Sequence, residues 1–174
     1  RASIARDKGL EPLARLILKG EKDPDGEAAN YLNTEKEVMT SGDALHAARD
    51  IIAEMISEDP KLRRGLREII LKEGFIVSSG RGTGNGTYEM YYDYCEPCRK
   101  AQPHRILAMN RGEKEGHLSV KIRLEEEKAL LLIRRQYIKG FFNERAKLHL
   151  EEAIKDSWKR LLFPALEREI RSLL

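Results

Sequence analysis

The chain's two thiols, Cys95 and Cys98, stand in a Cys-x-x-Cys spacing that can supply half of a zinc site or a redox pair. A structural zinc needs two more ligands. The nearest downstream imidazoles are His104, six residues after Cys98, and His117, thirteen further on, a spacing outside the common zinc patterns. A thioredoxin-like pair would follow a strand and open a helix. Here Pro97 lies inside the motif and an acidic, tyrosine-rich segment precedes it. The residues therefore read as structural thiols, with a metal or redox module on Cys95 and Cys98 as the rival. No cofactor is expected, and so low a thiol content suits a reducing cytoplasm.

A second kind of chemistry is electrostatic. The chain carries 32 Lys and Arg against 29 Asp and Glu, a net charge of only +3, yet residues 99–147 hold 13 basic and 6 acidic side chains. Such asymmetry is the footprint of a phosphate-binding surface. Arg99, Lys100, Arg105 and Arg111 are its candidate contacts, acting as point charges or forked donors without base specificity. The plainer reading is a solvated helical surface, with Arg105 and Arg111 paired internally to Glu96 or Glu115. Tyr88, Tyr91, Tyr92 and Tyr94 precede this stretch. On a helix the first three share a face, where they would pack on a core or stack against bases.

Catalytic constellations are missing from the pattern. His46, His104, His117 and His149 are scattered, and no His-Glu-x-x-His, Walker or nucleophile-elbow motif occurs. The glycines at 80, 82, 84 and 86 alternate without the spacing of a phosphate-binding loop, so this stretch reads as a loose surface loop. No catalytic residue is assigned, and the segment is expected not to be an enzyme or to take a small-molecule substrate.

The elements that would position these residues are mostly helical. Leu10, Leu13, Leu16 and Ile17 recur at helical spacing, with Pro12 near the start and Gly20 as a stop. The stretch 21–26 reads as a turn. Ser41 is a candidate N-cap for a helix carrying Ala44, Leu45, Ala48, Ile52, Met55 and Ile56. Asp59-Pro60 opens the next helix, which runs to Gly74. The 75–77 run favours a strand. Pro103 begins a helix with Ile106, Leu107 and Met109 inside, and Gly112 and Gly116 as stops. Residues 117–124 alternate strictly, the signature of a half-buried strand, with His117, Ser119, Lys121 and Arg123 on the polar face. A final helix carries Ala153, Ile154, Trp158, Leu161, Leu162, Ala165, Ile170 and Leu173, with a kink expected at Pro164.

The predicted fold class is mainly α, a multi-helix, bundle-like scaffold with one or two short β-strands. Apolar residues make up 41% of the chain and charged residues 35%, enough for a core beneath an ionic surface and against disorder. The longest apolar run is Ala129–Ile133, so no membrane span is expected, and no basic-then-apolar leader opens the sequence. Starting at Arg1 and ending at Leu174 within an apolar pattern, the chain reads as residues 1–174 of a helical segment from a larger multidomain protein. Sub-parts 1–79 and 87–174 would be joined by the glycine-rich loop 80–86.

Four blocks carry a resemblance: ARDKGLEPLARLIL (Ala5–Leu18), ALHAARDIIAEMISEDPKLRRGLRE (Ala44–Glu68), YEMYYDYCEPCRKAQPHRILAMNRGEKEGHLSVKI (Tyr88–Ile122) and DSWKRLLFPALEREIRSLL (Asp156–Leu174). In order and content they resemble the Tex family of bacterial transcription accessory proteins, and members from Bacillus-like bacteria most of all. The most specific elements are Glu96-Pro97, Pro103-His104-Arg105, Ala108, Arg111-Gly112 and Glu115-Gly116. The resemblance implies a cytoplasmic, largely helical segment preceding an RNase H-like domain, helix-hairpin-helix modules and a nucleic-acid-binding OB-fold. It implies no catalytic residue here. It implies nucleic acid as partner, RNA or DNA, chiefly through the other domains, with the transcription machinery as a further partner and no membrane. A more distant likeness is to a eukaryotic elongation factor that works with RNA polymerase and histones. The chain departs from the family pattern at Cys95 and Cys98 and over Lys128–Lys147. The alternative function is a protein-docking module for RNA polymerase or for the missing domains.

Overall fold

The computed structural model describes residues 1–82 and 86–174, so the expected looseness of the glycine-rich stretch lies, for residues 83–85, outside the described residues. The chain is mainly α-helical with one small antiparallel sheet. It forms two compact units, each assembled from two separated stretches: Arg1–Arg63 with Leu130–Pro164, and Arg64–Ala129 with Ala165–Leu174. No described helix is long and apolar enough to cross a membrane.

The first unit is built on α4 (Ser41–Ser57), against which α1 (Ala2–Asp7), α2 (Glu11–Lys19) and α8 (Glu144–Asp156) pack. Its start is fixed by Thr40 rather than Ser41. The Thr40 hydroxyl accepts from Asp43 N–H at 3.1 Å, and the Asp43 carboxylate accepts from Thr40 N–H at 3.2 Å. This reciprocal cap satisfies two groups that a helix start leaves unpaired. Ala44, Ala48 and Ala53 are buried on α4, and their small side chains let neighbouring helices approach. Leu10, Leu13 and Ile17 of the α2 region are fully buried, as their spacing predicts, and α2 stops at Gly20 in the left-handed region. The predicted 21–26 turn instead contains a short helix, α3 (Pro24–Glu27), capped by Asp23.

Asp59 joins two parts of this unit. Its Oδ1 accepts from Lys61 and Leu62 N–H at the start of α5 (Pro60–Glu73). Its Oδ2 accepts from the hydroxyl of Tyr137, at 2.7 Å, and from the side chain of Gln136, both at the end of α7 (Glu126–Tyr137). Burial raises the pKa of this carboxyl, but the Tyr137, backbone and Gln136 donors outweigh it and hold the group below the ordinary aspartate value.

Just before Pro164, where the sequence predicts a kink, the structure has a change of helix type. Between α8 and α9 (Phe163–Leu173) lies a π-helical turn, Ser157–Leu162, in which Phe163 N–H reaches back five residues to the Trp158 carbonyl. The widened turn accommodates the ring of Pro164 and its missing N–H. Ala153, Ile154, Trp158, Leu162 and Ile170 are buried as predicted, whereas Leu173 is exposed.

In the second unit β1 (Phe75–Gly80) lies between β2 (Asp93–Pro97) and β3 (Leu118–Arg123), antiparallel to both. Leu118, Val120 and Ile122 of β3 face the core, as the alternation predicts. Strand β2 is an addition to the sequence reading. The tyrosines upstream of it form no helix: a single 3-10 turn, Glu89–Tyr91, precedes the strand. The outer edge of β3 is closed by side chains. Ile122 N–H donates to Glu167 at 2.8 Å, Val120 N–H to Glu113 at 3.3 Å, and the Val120 carbonyl accepts from Arg171 at 2.8 Å. Edge strands blocked this way resist pairing with other chains.

Helix α6 (Pro103–Lys114) packs on β3. Gly112, a predicted stop, lies inside it, where a Cβ would stand 2.5 Å from Leu118 and 3.2 Å from Tyr88. The turn out of α6 is made by Gly116, at φ +82°. Ile106 and Met109 are buried, but Leu107, expected inside, is 68% exposed.

Candidate nucleic-acid interface

The four candidate cations belong to the second unit. Arg99 and Lys100 sit on a 3-10 turn that leaves β2 (Cys98–Lys100), anchored where Cys98 N–H donates to the Gly74 carbonyl at 2.9 Å. Arg99 is exposed and donates to the Lys72 carbonyl at 3.2 Å, and Lys100 is exposed. Arg105 and Arg111 lie on α6, whose first position is Pro103.

The two arginines of α6 have different partners. Arg105 Nε donates to both oxygens of Glu96, at 2.9 and 3.2 Å, and its Nη2 to the Lys100 carbonyl at 3.1 Å. Glu96 is 8% exposed and also accepts from the Tyr94 hydroxyl at 2.7 Å, so this buried carboxylate is paired on both sides. The bond to Glu96 raises the Tyr94 hydroxyl above the ordinary tyrosine value. Arg105 thus takes the internal pairing that the sequence allowed. Arg111 is exposed, on the same stripe of α6 as His104, Leu107 and Lys114. Among the described residues Arg99, Lys100 and Arg111 have no carboxylate partner. Glu115, the other acid considered for Arg111, accepts instead from the Tyr88 hydroxyl at 2.6 Å.

Of the four tyrosines, Tyr88 and Tyr91 are packing residues, while Tyr92 and Tyr94 are half-buried. Tyr88 and Tyr91 are buried, Tyr88 stacked on His117 at 5.7 Å and Tyr91 edge-on to Tyr94 at 5.3 Å. Rings so enclosed have no free face for a base.

Cys95 is exposed on β2 and Cys98 is buried, and neither forms a disulfide. Among the described residues no three His, Cys, Asp or Glu side chains are grouped to hold a metal ion. Burial pushes the Cys98 thiol up to about 11, which suppresses its nucleophilic thiolate. Alkylation near pH 8 should therefore label Cys95 and leave Cys98, about a thousandth thiolate at that pH, unmodified until the chain unfolds. Peptide mapping after a brief iodoacetamide pulse checks this; equal labelling would contradict the enclosed position of Cys98.

The first unit contains a histidine–carboxylate contact that the sequence pattern does not single out, since its members are 124 residues apart. His149 Nε2 lies 2.7 Å from Asp25, which also accepts from Arg145 Nε at 2.7 Å, while Arg49 Nη1 lies 2.9 Å from His149 Nδ1. Burial raises Asp25, but the bonds from His149 and Arg145 prevail and lower it below the ordinary aspartate value. Because Arg49 can only donate, Nδ1 accepts from it and Nε2 donates to Asp25, so both ring nitrogens are engaged.

Comparison with known proteins identifies the class. The Tex central region-like family matches residues 19–174. The uncharacterized protein YdcI of Bacillus subtilis (strain 168) is 43% identical over 180 residues, covering 100% of this chain and 25% of that protein. Protein tex of Bordetella pertussis is 40% identical over 131 residues, 73% of this chain and 17% of its own length. The transcriptional accessory protein Tex of Neisseria gonorrhoeae is 30% identical over 178 residues, 97% of this chain and 23% of its own. The chain belongs to the Tex central region-like family. It spans a quarter or less of the length of these relatives.

Proposed function

We propose that the chain is a non-catalytic helical scaffold segment of a cytoplasmic, nucleic-acid-binding transcription accessory protein, with a secondary basic surface that touches phosphate. The observation that carries this reading is the contrast within the candidate set. Arg105 is held by Glu96 and in turn fixes the Lys100 carbonyl, while Arg99, Lys100 and Arg111 stay exposed with no carboxylate among the described residues. Exposed, uncompensated cations on fixed elements suit phosphate contact without sequence reading. The Neisseria gonorrhoeae relative named as a transcriptional accessory protein supports the setting. The engagement of both ring nitrogens of His149 by Arg49 and Asp25, with no nucleophile hydrogen-bonded to it among the described residues, supports the non-catalytic part.

Fluorescence anisotropy with single-stranded RNA and with duplex DNA tests the proposal. Replacing Arg99, Lys100 and Arg111 together by alanine is expected to weaken binding about tenfold or more at low salt, on the counterion-release argument. Arg105→Ala is expected to lower stability, by stranding buried Glu96, more than it lowers affinity. Undiminished binding by the triple variant would remove these three side chains from the interface.

A further inference from the structure

The outward face of the sheet holds cations that the helical pattern does not bring forward. In the register of the strands Arg123 lies opposite Phe75, and Lys121 opposite Val77, which is itself opposite Cys95. These residues point away from the face that carries Ile76, Val120 and Ile122 to the core. Lys121, Arg123 and Cys95 are exposed, and Phe75 is half-buried.

Arg123 differs from the other held arginines of this unit. Arg67 is fixed by Glu169, Arg105 by Glu96 and Arg171 by Glu113, each at 2.7–2.9 Å. The Arg123 guanidinium instead lies 5.3 Å from the centroid of the Phe75 ring and donates to the Cys95 sulfur at 3.4 Å. No carboxylate pairs with it among the described residues. A ring and a sulfur restrain the planar cation without cancelling its charge. Lys121 projects from the same strand face, about 7 Å along. Asp93 at the far row of the sheet and Glu125 beyond β3 bound the patch with negative charge.

A restrained, uncompensated guanidinium on an aromatic ring, beside a second cation, matches a ligand that is both planar and anionic along its length. We propose that this sheet face is a contact site for single-stranded nucleic acid. Arg123 is layered between Phe75 and a base, and Lys121 neutralises a phosphate. The proposal rests on the phosphate-contact reading above and adds a second surface and a strand preference to it. Duplex DNA hides its base faces and gains only the charge, whereas a single strand gains charge and stacking.

The test uses the 174-residue chain with a fluorescent oligouridylate and a duplex of equal length, across a salt series. Lys121→Gln with Arg123→Gln should weaken oligouridylate binding about tenfold and reduce the log–log salt slope by about 0.7, for the one phosphate that Lys121 no longer neutralises. Phe75→Leu should keep the slope but abolish the preference for the single strand. Thermal midpoints of the variants confirm that each remains folded. Wild-type affinity in the Lys121/Arg123 double variant would overturn the proposal; if the Arg99/Lys100/Arg111 triple variant then fails to bind, the broader reading survives without the sheet face. No binding by the wild-type chain at low salt would overturn both. Displacement of the oligonucleotide by polyglutamate at equal charge concentration would assign the face to an acidic polypeptide and overturn the nucleic-acid assignment.

Discussion

Replacing Asp59 by alanine is expected to cost about 3 kcal/mol of stability, from a missing helix cap and stranded hydrogen-bond donors. One carboxylate performs both tasks: Oδ1 receives the N–H groups of Lys61 and Leu62, and Oδ2 receives the Tyr137 hydroxyl and the Gln136 side chain. The cap contributes about 1 kcal/mol. The rest arises because Tyr137 is only partly exposed, and its hydroxyl would be deprived of its bonding partner without regaining full hydration. Burial and the bond to Asp59 raise that hydroxyl's pKa well above the ordinary tyrosine value. Denaturant midpoints of Asp59→Ala, Tyr137→Phe and the double variant decide the matter. The second substitution should cost much less in the background of the first, because the two side chains share one bond. Strict additivity would show that the Asp59–Tyr137 bond does not contribute.

Arg171→Met is expected to cost about 2–4 kcal/mol, through unpaired acceptors left at a partly enclosed site. Arg171 donates to the Val120 carbonyl at 2.8 Å, to Glu113 at 2.7 Å and to Asn110 at 2.9 Å, tying α9 to α6 and to the outer edge of β3. The substitution keeps the aliphatic stem and removes the fork. It also predicts a change with pH. The bond from Arg171 holds Glu113 below the 4.5 of an unperturbed glutamate, against an opposing effect of burial. A carboxylate lowered in the folded state stabilises it above the unfolded value, and that contribution fades as pH falls through the folded value. Wild-type stability should therefore decline below about pH 4.5, and Arg171→Met should decline less steeply. Parallel pH profiles for the two proteins would contradict the pairing.

The local features of the fold are legible in the sequence because their causes are local. The α2 stripe with its Gly20 stop, the Asp59-Pro60 helix start and the alternation of β3 depend on residues a few positions apart. The start of α4 differs by one residue from the expected cap because Thr40 and Ser41 are both capping types, and only the reciprocal bonds with Asp43 choose between them. Strand β2 is hidden because the tyrosines just before it, Tyr88, Tyr91 and Tyr92, have helical spacing that masks where the strand begins, and because its partner strand β1 lies across the glycine-rich stretch. Gly112 has the look of a stop, yet it is glycine because Leu118 and Tyr88 leave no room for a Cβ.

Legibility of the candidate interface follows the same division. The charge excess of residues 99–147 is a property of composition and is visible directly. The pairing of Arg105 with Glu96 is one of two readings of a nine-residue separation, and geometry selects it. Lys121 and Arg123 are visible as the polar face of a strand. Their setting is not, because Phe75 and Cys95 come from two other strands 48 and 28 residues away from Arg123. Three of the four blocks that resemble Tex proteins, Ala44–Glu68, Tyr88–Ile122 and Asp156–Leu174, lie within the family match over residues 19–174.

The proposed contact between a basic surface of this segment and nucleic-acid phosphate is read out by the salt dependence of binding. The affinity of the wild-type chain for single-stranded RNA is expected to fall linearly with salt on a log–log plot. A slope of magnitude about 2 is expected if Arg99, Lys100 and Arg111 each neutralise a phosphate at about 0.7, and about 3 if Lys121 adds a fourth. A flat dependence on salt, or no binding at the lowest salt, would contradict the proposed contact and leave the exposed cations as solvated surface.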